Sequence, residues 1–424
     1  MVLVDVESQI DYLQTGTGKA CRRQRLKPGD RIELRIDSVA FGGDGVGRFQ
    51  QQVVFVPFTV DGDEVTVRIT DVRKRFVRGC LEQILNPSAH RIEPRCRHYT
   101  RCGGCQYQHV RYEHELQCKE QQVVDAFIRI AKVPLPPLTP VVPSPKSFQY
   151  RGKADYHVLV SPKDAPIIGF MDVLNNCIID IDRCEIVDET INAACLAFRQ
   201  DLEAGGIKTP PDRQTIWSAD AAGEQAEAVT DFRTPRFVVR TVKGMNLTVP
   251  YRGFFQANTV LLHRLVDEVL NLCALTGRET VIDAYCGSGL FSLFLATQAR
   301  QIYGIERDGE AIHCARMNHR HSGYKNAVFL RGDAGEILRR QFLGEKKRVD
   351  VLILDPPRTG CDPALLSGLV ELKPARIVYI SCNPATQARD IRHLLDRGLT
   401  LKSLTPYDMF PQTAHIEVVA VLES

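Results

Sequence analysis

The sequence has no apolar run approaching the ~18–20 residues that a membrane span needs. The first residues, MVLVDVESQI, carry acids where a secretory leader would carry a basic region and a long apolar run. The chain is therefore expected in the cytoplasm, with no membrane partner. Net charge is also scarce: +3 over 424 residues points to no class of partner. Disorder is excluded, because 44% hydrophobic and 25% charged residues are the balance of globular domains. The length suits two or three such domains.

What is present is unevenly placed. Between Arg73 and Arg101 eight cations stand against Glu82 and Glu93, a local charge of +6. Such a patch suits a polyanion, with Arg73, Lys74 and Arg75 as contacts, although a solvated basic surface has the same composition. The 14 cysteines, in a reducing compartment, suggest metal or catalysis rather than disulfides.

Residues 1–23 read as a polar tail. Over 24–84, RIELRIDSV, VVFVPF and EVTVRI alternate as strands between turns rich in Gly and Asp, which predicts a small barrel or an open meander. Residues 85–250 read as a central α+β region. It holds a cysteine segment, a helix over HELQCKEQQVVDAFIRIA, a proline-dense linker at 133–147 and strands at YRGKADYHVLV, PIIGFM and CIIDID. A helix follows at ETINAACLAFRQDLEA, and EQAEAV (224–229) lies in a polar loop. Residues 251–424 form the last domain, where apolar strands alternate with helices from Gly277 onward. This predicts a doubly wound, mixed α/β sheet whose ligands bind at the carboxyl ends of its strands. Asp283, Glu306, Asp333, Asp355 and Cys382 all fall at such ends.

DAYCGSGL places Gly287 and Gly289 where backbone can pass close to a ligand at a helix start. A third glycine, which a dinucleotide fingerprint would show, is missing. Glu306 suits ribose hydroxyls and Asp333 an adenine amino group, a set that fits S-adenosylmethionine better than NAD. Asp355-Pro356-Pro357-Arg358 is a rigid corner that holds a carboxylate. Arg358 stands where enzymes that methylate amino groups carry an aromatic residue. Cys382, in VYISCNPATQARDI, reads alone as a buried thiol, a metal ligand or a nucleophile. A helix starting near Ala385 would favour its thiolate. Beside DPPR and the glycine turn, the nucleophile is the expected reading.

FFQANT, DAYCGSG, DPPRTG, SCNPAT and MFPQTAHIE, in this order, resemble the RNA 5-methyluridine methyltransferase family, and the type with an N-terminal TRAM domain and an iron–sulfur cluster in particular. The resemblance implies a Rossmann-like S-adenosylmethionine-dependent methyltransferase domain behind an OB-like TRAM barrel. It implies Cys382 as nucleophile and Glu417 as the base for the carbon 5 proton. Asp355 would hold the uracil edge or the donor, and Gln256, Asp283, Tyr285, Glu306 and Asp333 would line the donor site. Leu290 departs from members with Asn after the turn. The family also binds a 4Fe-4S cluster through three close cysteines and one distant one, here Cys96, Cys102, Cys105 and Cys184, with Cys118 and Cys177 as rivals for the fourth place. Spacing alone leaves zinc open. The expected substrate is RNA, ribosomal before transfer RNA, bound by a monomer. Arg151 and Lys153 are further RNA contacts, in a stretch that also suits an amphipathic strand. A radical or redox RNA-modifying enzyme, or a non-catalytic RNA binder, is the competing reading.

Overall fold

The computed structural model describes residues 25–134, 136–161, 164–207, 211–219 and 236–424. The expected N-terminal tail and the EQAEAV loop lie outside the described residues. Among the described residues, no helix is long and apolar enough to cross a membrane.

The alternating N-terminal segment is a closed barrel. Its strands are β1 (Arg31–Val39), β2 (Gly45–Phe49), β3 (Gln52–Val56), β4 (Glu64–Val72) and β5 (Phe76–Asn86), in the order β1-β2-β3-β5-β4 with β4 pairing back to β1. Period-two alternation turns Ile32, Leu34 and Ile36 inward, onto Val54, Val65 and Val67. At Gly47 any Cβ would strike the side chain of Leu34 and the carbonyl of Arg35, so that crossing requires glycine.

The cysteine segment follows in irregular backbone and leads into α1 (Tyr112–Ala126), which runs on through one wide turn to Ala131. A four-stranded sheet of order β8-β7-β6-β9 comes next: β6 (Lys153–Ser161), β7 (Asp164–Met171), β8 (Ile178–Asp180) and β9 (Arg213–Trp217). Helix α2 (Glu189–Glu203) packs on it, capped by the Asp188 carboxylate, which accepts from the Thr190 amide. A hairpin, β10 (Phe237–Val242) and β11 (Met245–Pro250), and α3 (Leu262–Cys273) complete the approach to the last domain.

That domain is a seven-stranded sheet. Its strands are β12 (Thr280–Ala284), β13 (Gln301–Glu306), β14 (Ala327–Arg331), β15 (Val351–Leu354), β16 (Arg376–Ser381), β17 (Thr400–Tyr407) and β18 (Glu417–Glu423). The order is β14-β13-β12-β15-β16-β18-β17. The first five run parallel, and β18 is antiparallel to both of its neighbours. Helices α4 (Leu290–Leu295), α5 (Gly309–Ser322), α6 (Ala334–Ile337), α7 (Pro363–Leu372) and α8 (Pro384–Leu395) connect the strands. Strand order reverses between β12 and β15, the place where such sheets bind ligands. Alternate residues feed two cores. Val281, Ile353 and Val378 face one side, and Ile282, Leu352 and Ile377 face the other.

Two expectations change here. The proline-dense 133–147 segment is not a free linker. It lies along the edge strand β17, where Thr139 and Val142 donate to the carbonyls of Leu404 and Pro406, and Leu404 donates back to Pro137. The segment thus covers an edge that would otherwise be open. The expected division at residue 250 is also no break in packing. Trp217, Val238, Leu247 and Val249 share a core with Leu265 of α3 and Leu293 of α4.

Helix α1 is fixed to the seven-stranded sheet's domain by a fully buried charge group. Lys119 Nζ lies 2.7 Å from Glu115 Oε1 and 2.6 Å from Asp408 Oδ1, and donates to the Phe410 carbonyl at 3.2 Å. All three charged side chains are 0% exposed. Burial alone would discharge Lys119, but Asp408 and Glu115 outweigh it and its pKa ends above the ordinary value. Lys119→Met would strand two buried carboxylates. It is expected to cost about 3–5 kcal/mol in urea unfolding, whereas Arg31→Met, which breaks the exposed pair with Glu82, should cost no more than about 1 kcal/mol.

Candidate active site

The glycine turn after β12 has the backbone its residues suggest. Tyr285, Gly287 and Gly289 take φ of 68°, 54° and 86°. The left-handed conformation at Gly289, with the Phe329 ring 3.3 Å from where a Cβ would stand, requires glycine; Tyr285 carries the conformation as strain. Glu306 at the end of β13 accepts from the Gly287 amide at 3.1 Å and the Asp308 amide at 2.7 Å, which fixes its carboxylate beside the turn. Asp283 uses one oxygen on the Ser292 amide and hydroxyl, at 3.0 and 2.5 Å. Its other oxygen is buried without a partner, as are Gln256 Oε1 and Ser288 Oγ. Asp333 caps α6 by accepting from the Glu336 amide at 3.1 Å.

The electrostatics of this pocket select the sign of its ligand. Burial first, and Glu306 last, push the Asp283 carboxyl up to about 7. Asp355 is raised by burial, then by Asp283 and Glu306. Acids that hold one another up, with unsatisfied acceptors among them, favour a cation and repel a pyrophosphate. S-adenosylmethionine, with its sulfonium and ammonium charges, fits this donor set, and a dinucleotide does not. Gln256, Asp283, Glu306 and Asp355 would hold it.

Next to this pocket lie the ends of β15, β16 and β18. Asp355 follows β15 and Cys382 follows β16. Ser381 pairs with Val418, so one step further in the antiparallel register puts Glu417 opposite Cys382. Helix α8 starts at Pro384, as expected, with the Asn383 side chain accepting from the amides of Ala385 and Thr386. The expected thiolate does not follow. Burial pushes the Cys382 thiol up to about 12, with Glu417 and Asp355 adding to it. Arg358 opposes the shift and hydrogen bonds to the thiol. Glu417 is likewise raised by burial and then by Asp355, against Arg358.

Arg358 is the functional residue that sequence reasoning passed over. Its carbonyl accepts from Asn383 Nδ2 and Thr386 Oγ1, at 3.3 and 3.2 Å, so the DPPR corner and the SCNP turn are one unit. Its guanidinium lies 3.0 Å from His415 Nε2. Burial first, then the Arg358 charge, hold His415 down at about 3, so it accepts from Arg358 as a neutral ring. The signal available in the sequence was an arginine in an aromatic's place.

The remaining predicted residues fall in two further places. Cys96, Cys102, Cys105 and Cys184 surround one cavity of about 350 Å³, which Arg151 and His415 also line. Cys118 and Cys177 are absent from its walls. Arg73, Lys74 and Arg75 stand exposed on the β4–β5 turn, with Arg73 paired to Asp71 at 2.6 Å. Lys153 does not join them. It is 12% exposed, donates to the Gly253 carbonyl at 2.8 Å and lies over the Trp217 ring.

A Rossmann-like sheet whose strand ends gather buried acids suited to a cationic ligand fits a methyltransferase that uses S-adenosylmethionine. Comparison with known proteins narrows this class. Residues 25–81 match the TRAM domain and residues 237–424 the tRNA (Uracil-5-)-methyltransferase family. An uncharacterized RNA methyltransferase of Thermosynechococcus vestitus is 34% identical, over 93% of this chain and 98% of that protein. One from Halalkalibacterium halodurans is 32% identical over 93% and 97%. The crystal structure of Pyrococcus abyssi tRNA (uracil-54, C5)-methyltransferase with S-adenosyl-L-homocysteine superposes with a TM-score of 0.70 at 25% identity, covering 92% of this chain and all of that one. The chain belongs to the RNA (uracil-5)-methyltransferase family, enzymes dependent on S-adenosylmethionine.

The raised thiol has a measurable consequence. A group whose pKa is about 12 is protonated throughout the neutral range, so alkylation of Cys382 should climb about tenfold per pH unit with no plateau below pH 11. Arg358→Ala removes the opposing charge and should slow that alkylation at every pH. Peptide-resolved mass spectrometry of iodoacetamide-treated protein reads both.

Proposed function

We propose that the enzyme methylates carbon 5 of a uridine in RNA through a covalent adduct on Cys382. The observation that carries this is Cys382 and Glu417 facing each other across β16 and β18, with Asp355 and Arg358 against both. Uracil carbon 5 is a weak nucleophile. The Cys382 sulfur adds to carbon 6 as its proton passes to the uracil oxygen on carbon 4, and the enol carbon 5 takes the methyl group as that proton is released. Glu417, after giving up its own proton, removes the carbon 5 proton, and the sulfur leaves as carbon 5 and carbon 6 regain their double bond. Arg358 stabilises the negative charge on the sulfur, and Asp355 orients the uracil edge or the donor. When bound, S-adenosylmethionine supplies the electrophilic methyl group and a positive charge to this acid-lined pocket. Tyr285, Gly287, Gly289 and Asp333 complete the donor site. The target base leaves its stack to reach a thiol this deep.

The four-cysteine cavity is read as the site of a 4Fe-4S cluster. Its donors are thiols, and they are close enough that Cys96 and Cys102 raise the pKa of Cys184, after burial, to about 11. Four thiols suit such a cluster or zinc, and the resemblance to the iron–sulfur type of the family favours the cluster. No step of the transfer needs an electron, so the role assigned is structural. The exposed Arg73, Lys74 and Arg75 on the TRAM barrel, with Arg151, are the proposed RNA contacts; the placement of Lys153 suits a bracing role better. Ribosomal RNA is the preferred substrate, acted on in the cytoplasm by a monomer, because the family type with TRAM and a cluster is the one resembled. Transfer RNA is the second reading, favoured by the similarity to the Pyrococcus abyssi enzyme.

Glu417→Gln should accumulate the protein–RNA adduct on unmodified RNA while turnover falls at least about 100-fold. Cys382→Ser should form no adduct with 5-fluorouridine RNA. Denaturing gels of donor-treated mixtures read both, and wild-type adduct levels in the serine variant would refute the mechanism. Nucleotide mapping of 5-methyluridine in ribosomal and transfer RNA from a strain lacking the enzyme distinguishes the two substrates.

A further inference from the structure

Away from both sites, Asp61, His114 and Cys118 bring an oxygen, a nitrogen and a sulfur within 4.8 Å of one another. His114 and Cys118 are one turn apart on α1 and project from the same face. Asp61 comes from the turn between β3 and β4 of the barrel. His114 Nε2 lies 2.8 Å from Asp61 Oδ1, and Cys118 Sγ lies 3.8 Å from the same oxygen. Gln117 Oε1 sits 3.0 Å from the other ring nitrogen, Nδ1. His90 stacks on the ring at 3.6 Å and 3°, which fixes its plane.

With the proton on Nδ1 donated to Gln117, Nε2 presents its lone pair toward Asp61 Oδ1 and a cation between them would be shared by both; with the proton on Nε2 the ring donates to Asp61 instead. A ring nitrogen oriented by a carbonyl on its far side is also the usual support of a metal-binding histidine. Cys118 adds a soft ligand at the same point. The His114 and Asp61 side chains are 11% and 30% exposed, so the triad opens to solvent on the Asp61 side.

We propose that Asp61, His114 and Cys118 bind a single zinc-class divalent cation, with water as fourth ligand. One nitrogen, one sulfur and one oxygen are ordinary zinc ligands, and three of them with an open position make a complete site. Tetrahedral coordination needs the Nε2 and Oδ1 atoms about 3.4 Å apart, and the partly exposed Asp61 carboxylate can supply that movement. The ion would tie the barrel's β3–β4 turn to α1, the helix that Lys119 fixes to the methyltransferase sheet. It would therefore set the position of the TRAM barrel relative to the catalytic domain.

The test uses the full-length, cluster-loaded protein equilibrated with zinc and then desalted. Bound zinc, measured by elemental analysis, should be one ion per chain higher in wild type than in Asp61→Asn, His114→Ala or Cys118→Ser. Gln117 is exposed, so Gln117→Ala should fold normally and weaken zinc binding about tenfold. Zinc should also raise the thermal midpoint of wild type and not of the triad variants. Equal zinc in all the proteins, with unchanged affinity in Gln117→Ala, would overturn the proposal. So would an NMR signature of His114 carrying protons on both nitrogens and unmoved by zinc, since a proton alone would then fill the gap.

Discussion

Lys119 holds the molecule's parts in register. It sits in α1, and one of its carboxylate partners is 289 residues away in the loop between β17 and β18. A charge removed wholly from water must be matched by geometry, or it destabilises the fold. Here two carboxylates and a carbonyl meet one ammonium group, while Glu115 Oε2 and Asp408 Oδ2 are buried without a partner. Glu115 then reaches further and accepts from the Gln412 amide at 2.8 Å. The same four residues that anchor the helix thus shape the chain immediately before Glu417. Burying an ion pair is a poor way to gain stability. It is a good way to exclude alternative positions for a loop whose next residues face the reacting sulfur.

The reacting end shows the opposite economy. Around Cys382 the buried groups are mostly acids, and Arg358 is the cation that opposes them. Each acid raises the others, so the resting site keeps its protons. This protects a thiol from oxidation and stray alkylation. It also makes nucleophilicity depend on positive charge brought in from outside. A cationic methyl donor has the sign that opposes these acids.

Much of this was legible in the sequence, for identifiable reasons. Period-two alternation in RIELRIDSV pointed to a barrel or meander with one buried face, and the apolar strands from Val281 to Ile380 to a sheet buried on both faces. Glycines at 287 and 289 were legible because only their backbone suits the turn. The four cysteines were legible as a set through the family resemblance, and the structure gathers them at one cavity. Other features were not legible. The 133–147 segment was read as a linker because proline forbids regular pairing, yet alternate residues pair with β17. Lys153 was read as an RNA contact from its charge alone, and its environment could not be seen. The helix start beside Cys382 was legible, but the burial and the acids that raise its thiol were not, because they come from distant parts of the chain. Arg358, His415 and the pairing of Lys119 with Asp408 depend on contacts across 57 and 289 residues, which no periodicity encodes.

The cysteine cavity and the segment that leads to Glu417 are physically continuous. Gln106, next to Cys105, donates its amide to the Gln412 carbonyl at 2.9 Å, and its side-chain oxygen accepts from the Ala414 amide at 2.9 Å. Tyr107 donates to the same Gln412 carbonyl at 3.0 Å, and Tyr150 to the Pro411 carbonyl at 2.9 Å. Gln412 itself is held at a φ of 68°, a conformation that an untethered glutamine would leave. Thr413 and His415 line the cavity, and His415 accepts from Arg358, which bonds to the Cys382 sulfur. The route from the cysteines to Cys382 is therefore a chain of hydrogen bonds through one strained loop. Whatever fixes the cysteine segment fixes Glu417 and Arg358 as well. A group that takes no part in methyl transfer can still decide whether the residues that perform it are in place.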